Sequence, residues 1–426
     1  MTASEAAALL GIRLPTLYAY ASRGKLRSER APGSARARMY PESEVRRLLR
    51  ATQARSGHAA AAEGALNWGQ PVLSSSITEI SEAGPCYRGV AFSELIEQQV
   101  PYEAACELLW YGDWGERERW SELKLPRASA LGPWLKRIRQ VPELGSLEAL
   151  QLLVPWIALD DPTSHGATAE AERSRGRKLI SLLAACLGPA VAGSGLAAPL
   201  ESQPIASRVV RGILGAPGRR FAAQVELLNA VLIACLDHEL NASTFCARVA
   251  ASAGANLYAS ISAGLGALSG PRHGRACDRV EALVLEVERP SRARSLVDER
   301  ARRGEQLPGF GHPLYPHGDP RGRLLLELAS RHAKSRALTA LNALAQAMVD
   351  TGRPGPTLDA GLVGVSLALG LPRGAAAGLF ALGRAGGWVA HVLEQREQPE
   401  LLRPRARYVG APGRAALPVR DPGAPG

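Results

Sequence analysis

Three histidines and one carboxylate stand in unusual local company in this 426-residue sequence. His238 lies in LDHELNAST, just past an apolar helical run, and His273 lies in SGPRHGRA, between glycines. His312 lies in PGFGHPLYPHGDPRG, residues 308–322, where four glycines and four prolines crowd around it and Arg321. Gly and Pro at that density exclude helix or sheet interior, so the segment is a shaped loop. Asp359 lies in RPGPTLDAG, a proline-rich turn leading straight into an apolar helix. Taken singly, each histidine reads as a satisfied core residue. Taken together, imidazoles at helix ends and a carboxylate at a rigid turn suit acid–base chemistry. Imidazoles donate hydrogen bonds to carbonyl oxygens while a carboxylate takes a proton from carbon. A metal site fits poorly, because His238-Glu239 lacks the second histidine of H-E-x-x-H and no cysteine pair is near.

The elements that must carry these loops are helical. Apolar residues recur at three and four, as in Val225, Leu228 and Leu232, or Phe245, Val249 and Ala253. Residues 325–350 read as one further helix, ended by Gly352 and Pro354. There is no βαβ alternation and no G-x-G-x-x-G after a strand, so the main body is all-α, with room for short strands near SSSITEISEAGPCYRG. At 46% hydrophobic the chain can bury a sizeable core. Its six cysteines form no C-x-x-C pair and read as reduced core residues of a cytoplasmic protein. No charged-then-apolar leader pattern opens the chain, which argues against secretion. Residues 179–200 carry no charge, but Gly188-Pro189, Gly193, Gly195 and Pro199 interrupt them. A helix ending in a loop fits better than a membrane span.

Charge sets the first segment apart. Residues 1–60 hold eleven Arg and Lys against four acids. Thr2 with Glu5 makes a capping box that opens a helix, Gly11 turns the chain, and Pro15 starts a second helix whose apolar face is Leu17, Tyr18 and Ala21. RSERAPGSARARMY follows as a basic hairpin-like wing, and PESEVRRLLR as a third helix. This stretch resembles the winged helix-turn-helix of the MerR and excisionase type. The resemblance places Thr16, Tyr18, Tyr20 and Arg23 on or near a recognition helix, and Arg36 and Arg38 at phosphate. Two roles fit: DNA binding by residues 1–50, or a basic helical bundle that docks a protein partner.

In the remainder, LDHELNASTF, GPRHG, GFGHPLYPHGDPRG, LGRAGGWVAHVLEQ and LLRPRARYVG stand in the order and spacing of citrate synthases, and SSSITEIS with CYRGVAFSELIEQQVPYEAACELLWYGDW resembles that family's N-terminal region. The resemblance runs from about residue 67 to 410. It implies an all-α body of large and small helical subdomains. His238 would bind oxaloacetate, and His273 would hydrogen-bond the acetyl-CoA carbonyl. His312 would polarise the oxaloacetate ketone, and Asp359 would remove the methyl proton. Arg321, Arg384 and Arg403 would hold the carboxylates, Arg403 reaching across a homodimer interface. The chemistry suits those residue types, since arginine grips carboxylates bidentately. Without the resemblance, Arg384 and Arg403 read as ion-pair residues. His165, His317 and His332 read as solvated and His391 as structural. Arg272, Arg275, Pro313 and Thr357-Leu358 depart from the family's pattern, which bears on the acyl-CoA pocket.

The resulting expectation is a citrate synthase that condenses acetyl-CoA with oxaloacetate and hydrolyses citryl-CoA. It needs no metal or cofactor, because the coenzyme A thioester is a substrate. The alternatives are a 2-methylcitrate synthase using propionyl-CoA, and a DNA-binding regulator whose synthase body senses oxaloacetate or acyl-CoA. The domains run 1–50 for the helix-turn-helix, 51–66 for a linker, 67–410 for the catalytic body and 411–426 for a disordered tail.

Overall fold

The computed structural model describes residues 1–10, 12–22, 26–30, 38–42, 44–45, 73–114, 120, 123, 131–141, 144–165, 168–192, 203–398 and 400–404. The chain divides into two compact units, Met1–Ser75 and Ser76–Gly426.

In the first unit, α1 (Ala3–Leu10) opens as its capping box dictates. Thr2 N donates to Glu5 Oε2 at 2.7 Å and Glu5 N to Thr2 Oγ1 at 3.3 Å. The second helix, α2 (Leu14–Ser22), has Pro15 in its first turn. β1 (Glu29–Arg30) pairs antiparallel with β2 (Arg38–Met39) as the expected hairpin. Ala6, Ala7, Leu10, Leu17, Leu26, Tyr40 and Val45 form its core. Tyr18 does not join that face: it is 50% exposed while Leu17 is fully buried. Successive helical residues lie about 100° apart, so the two cannot share a narrow face. Arg23, Arg36, most of the third expected helix, the linker 51–66 and the tail 411–426 lie outside the described residues.

The second unit begins with a small antiparallel sheet of β3 (Thr78–Ser81), β4 (Gly84–Tyr87) and β5 (Val90–Ala91), in the expected segment. The rest is helical. α3 (Phe92–Glu97), α4 (Tyr102–Tyr111), α5 (Gly132–Arg139), α6 (Ser146–Leu159), α7 (Ala169–Ala192) and α8 (Ile205–Leu214) come first. α9 (Phe221–Cys235), α10 (Ala242–Ser252), α11 (Leu257–Leu268), α12 (Ala276–Val287) and α13 (Ala293–Arg302) follow. α14 (Pro320–His332), α15 (Arg336–Asp350), α16 (Leu358–Leu369) and α17 (Ala375–Arg396) end the described helices. One large apolar core runs through most of them, and a smaller one gathers Leu283, Val287, Leu296, Val297, Leu344 and Met348 from α12, α13 and α15.

Glycines decide how closely the site-bearing helices approach. A Cβ on Gly387 of α17 would fall 2.2 Å from Leu236 O and 2.7 Å from Asp237 Oδ1. α17 therefore presses its glycine face onto the turn that carries His238. Likewise a Cβ on Gly322 of α14 would lie 2.1 Å from Thr357 O, so the head of α16, with Asp359, sits directly against the start of α14.

Besides Tyr18, three sequence expectations are corrected. Residues 325–350 are not one helix, because α14 stops at His332 and α15 starts at Arg336. Ala333 is extended, and Ser335 Oγ accepts from Leu338 N as a new N-cap. The apolar period masks the break because α14 and the start of α15, at Leu338 and Leu341, both face the large core, while Leu344 and Met348 continue the pattern into the smaller one. On α10 the residues Phe245 and Val249 are only half-buried, while Ser243, Thr244, Ala247, Arg248 and Ala251 turn inward. The buried polar side chains there find partners across the core, described below. Gly188-Pro189 does not interrupt α7, which continues to Ala192, its glycine backed by the Gly212 backbone of α8. No described helix is long and apolar enough to cross a membrane.

Candidate active site

His238 lies in the turn between α9 and α10, and the turn is fixed from both sides. Asn241 caps α10, accepting from Thr244 N at 3.2 Å. Asp237 is fully buried and accepts from His391 Nε2 at 3.2 Å. Arg248 Nη1 donates to His391 Nδ1 at 3.1 Å, so the His391 hydrogen sits on Nε2. His391 is thus a strut beneath the turn, in keeping with its structural reading. His238 Nε2 lies 2.9 Å from the Tyr315 hydroxyl.

The Gly-Pro loop supplies His312, Tyr315 and Arg321. Gly309, Gly311 and Gly318 take φ of 83°, 81° and 105°, a region other residues enter at a cost. The loop is laced to the turn that leads to Asp359. Gly311 N donates to Gly355 O at 3.1 Å, Thr357 N to Gly309 O at 2.8 Å, and Asp319 N to Pro356 O at 2.8 Å. His312 Nδ1 accepts from Leu314 N at 3.2 Å, which puts its hydrogen on Nε2. The His312 ring lies 5.5 Å from that of His238 and 5.0 Å from that of Tyr315.

Two arginines enter this cluster as buried cations. Arg321 gives Nε and Nη2 to Asp319 at 3.0 and 2.6 Å. Arg384 gives Nε to Cys235 O at 2.6 Å and lies over the Phe380 ring, 5.0 Å from its centre. Arg321 is 3% and Arg384 1% exposed, yet Nη1 of each has no hydrogen-bond partner among the described residues. A buried guanidinium N–H without an acceptor is costly, so the pair is suited to take up an anion.

His273 follows α11 and sets its ring edge-on to Phe380, 5.7 Å between centres. Its Nε2 lies 2.8 Å from Ser243 Oγ, which also accepts from Trp388 Nε1 at 3.2 Å. Asp359 stands in the first turn of α16, accepting from Thr357 Oγ1 and from the Cys277 thiol.

Burial, more than any single neighbour, sets the protonation states. It pushes His238 well below the usual imidazole range, helped by the charges of Arg321 and Arg384. It brings His273 down to about 3, with Arg384 adding to the effect, and lowers His312 as well. All three imidazoles are therefore neutral donors near pH 7. Burial raises Asp359, while Thr357 and Cys277 hold it down.

His238, His273, His312, Arg321, Arg384 and Asp359 thus meet around one region. Arg403 does not: it is exposed, and no hydrogen bond or ion pair ties it to the described residues of its own chain. Arg272 is exposed, whereas Arg275 is engaged by Glu148 and Asp278. His165 and His317 are exposed and His332 is half-buried. Sequence reading missed Tyr315, Asp319, Ser243, Phe380 and Cys277. Tyr315 and Asp319 carried a signal, standing in the same loop as His312, and so did Ser243, in the same motif as His238. No group of three or more His, Cys, Asp or Glu among the described residues could hold a metal ion.

Comparison with known proteins agrees with this architecture. The family model for the citrate synthase C-terminal domain matches residues 65–405, and a helix-turn-helix domain model matches residues 1–53. Putative citrate synthase 2 of Mycobacterium tuberculosis is 32% identical over 330 residues, 76% of this chain and 86% of that protein. 2-Methylcitrate synthase 1 of Corynebacterium glutamicum is 28% identical over 366 residues, 82% and 96% of the two chains. The ternary complex of Thermoplasma acidophilum citrate synthase with carboxymethyl coenzyme A and oxaloacetate superimposes with a TM-score of 0.72. It is 25% identical, and the match covers 82% of this chain and 96% of that one.

Proposed function

This chain belongs to the citrate synthase family, and we propose that it condenses acetyl-CoA with oxaloacetate and hydrolyses the citryl-CoA so formed. The observation that carries this reading is the pair of buried guanidinium nitrogens, Arg321 Nη1 and Arg384 Nη1, beside His238 and His312. A dicarboxylate keto acid supplies the acceptors those nitrogens lack, and its ketone oxygen comes within reach of the imidazoles.

In this mechanism Asp359 removes a proton from the thioester methyl group. The C–H electron pair becomes the enol double bond, and the carbonyl π pair moves onto oxygen, where His273 donates a hydrogen bond. Nε2 of His273 faces Ser243 Oγ, whose hydrogen goes to Asn241 Oδ1 at 2.7 Å, so donation from Nδ1–H calls for the hydroxyl to turn that hydrogen to Nε2. The enol carbon then attacks the ketone carbon of oxaloacetate, whose π pair moves onto the oxygen that His312 Nε2–H polarises by hydrogen bond, and the resulting alkoxide takes a proton from water. Water hydrolyses the thioester, releasing citrate and the coenzyme A thiol. Each positioned acid or base contributes roughly a hundredfold to ten-thousandfold. Arginine and imidazole supply the electrophiles, so the chemistry calls for no metal or cofactor. Arg403 completes the partner subunit's carboxylate site in a homodimer.

A thiol-release assay with oxaloacetate and each acyl-CoA tests the reading. Release with acetyl-CoA supports it, and silence with every acyl-CoA rules it out. Similarity to a 2-methylcitrate synthase over the same span favours a second reading, with propionyl-CoA as the preferred thioester. One methylene is worth only about 1–3 kcal/mol of discrimination, so the ratio of kcat/KM values decides between them. For residues 1–50 our reading is duplex DNA binding, supported by the helix-turn-helix match and the exposed Arg38 on the second strand of the hairpin. Affinity should fall steeply with salt. A full-length protein that shifts no duplex at low salt has a protein-docking domain instead.

A further inference from the structure

One side chain donates to each oxygen of Asp359, beside the residue's own backbone N–H. Thr357 Oγ1 donates to Oδ2 at 3.1 Å, and the Cys277 thiol donates to Oδ1 at 3.5 Å. The second contact links the first turn of α12 to the first turn of α16. Cys277 is fully buried. Its burial, and next the charge of Asp359, push the thiol well above its usual range, so the sulfur keeps its hydrogen. It acts as a permanent donor, neither nucleophile nor metal ligand.

We infer that Cys277 and Thr357 are positioning residues for Asp359, fixing both carboxylate oxygens and setting the lowest pH at which the carboxylate can accept a proton. The inference rests on Asp359 being the proton acceptor of the proposed condensation. Burial alone disfavours the charged carboxylate, and the hydrogen bonds from Thr357, Cys277 and the backbone N–H of Asp359 oppose it, the first two being those a substitution can remove. The sulfur contact is long and thiols are weak donors, so Cys277 lowers the basicity of Oδ1 modestly while holding it in place. Other charged or titratable groups face this carboxylate. Asp319, tied to Arg321, comes from the head of α14, and Cys235 from the end of α9, close to Arg384 of α17. Glu281 stands behind Cys277 on α12. None of them donates a hydrogen bond to Asp359, which leaves Cys277 and Thr357 as the side chains that do so among the described residues.

The test is the pH dependence of kcat/KM for thiol release, measured with the same substrates on full-length protein. The acid limb reports the free enzyme's base. Loss of a donor to the charged form raises the pKa of that base, so the limb moves to higher pH. Cys277→Ala and Thr357→Val should each move it by about half a unit, and the double variant by about one. Cys277→Ser, with a hydroxyl donor, should return the limb to or below that of the parent. A purely structural role would lower the plateau and leave the limb in place, and that result overturns the inference. If Cys277→Ala does not fold, Thr357→Val carries the same test from the opposite oxygen. A limb that moves in only one variant removes the other residue from the proposal. Asp359→Ala is run alongside. If it retains turnover, the underlying reading fails. If it is inactive while the limb stays fixed in the donor variants, this inference alone fails.

Discussion

Arg321 and Asp319 are two residues apart, and both are buried, at 3% and 0% exposure. Asp319 does two jobs: it caps α14, accepting from Arg321 N at 3.0 Å, and it accepts Nε and Nη2 of the same arginine. The guanidinium is thereby locked in one orientation, with Nη1 alone left for a ligand. Asp319→Asn keeps a capping oxygen but strands a buried cation, so it should cost about 3–5 kcal/mol of stability. Asp319→Ala also removes the cap and should cost ~1 kcal/mol more. Denaturant unfolding measures both. An Asn variant with the parent's midpoint would mean that the pair does not hold the arginine.

Asp359→Ala should abolish condensation while oxaloacetate still binds, because the arginines and His238 remain. Calorimetric titration with oxaloacetate, set beside the thiol-release rate, separates the two effects. Turnover close to that of the parent would remove Asp359 from the role of base.

Neutral buried imidazoles make stability depend on pH. The folded-state values of His238, His273 and His312 lie below the usual 6.5. As pH falls below about 6.5 the unfolded chain takes up protons that the folded chain refuses, so stability is lost, by roughly 1.4 kcal/mol per pH unit for each group. For His273 the loss continues down to about 3. Tm should therefore drop between pH 7 and 5, and His273→Asn should flatten that drop. An unchanged slope in the variant would show that His273 titrates normally in the folded protein.

Arg403 stands clear of the site in its own chain, so its proposed role requires the partner subunit. Asp359→Ala and Arg403→Ala should each cripple the homodimer. Unfolding and reassembling a mixture should make about half the dimers mixed, and one site of each mixed dimer has every residue intact. Roughly a quarter of all sites should regain activity. If mixed dimers form and are no more active than either variant reassembled alone, Arg403 does not serve the neighbouring site.

The sequence by itself determined the helical class, the loops and the chemistry-bearing residues. Helical period, capping pairs such as Thr2 with Glu5, and the Gly-Pro crowding around His312 are local signals, written within a few residues of one another. The family motifs pointed to His238, His273, His312, Asp359, Arg321 and Arg384, and the fold gathers these six. Local spacing could not reveal partners that lie far apart in the chain. Tyr315 meets His238 across 77 positions, Cys277 meets Asp359 across 82, and Trp388 meets Ser243 across 145. Nor could it reveal that Ser243 and Arg248 turn inward while Phe245 and Val249 stay half-exposed, because an apolar period shows where a stripe lies and not what covers it. Tertiary structure decided which donors each oxygen and nitrogen of the candidate site keeps, and so which protonation states the site holds. Burial sets the cost of charge there, and burial arises only when α9, α12, α14, α16 and α17 close on one another.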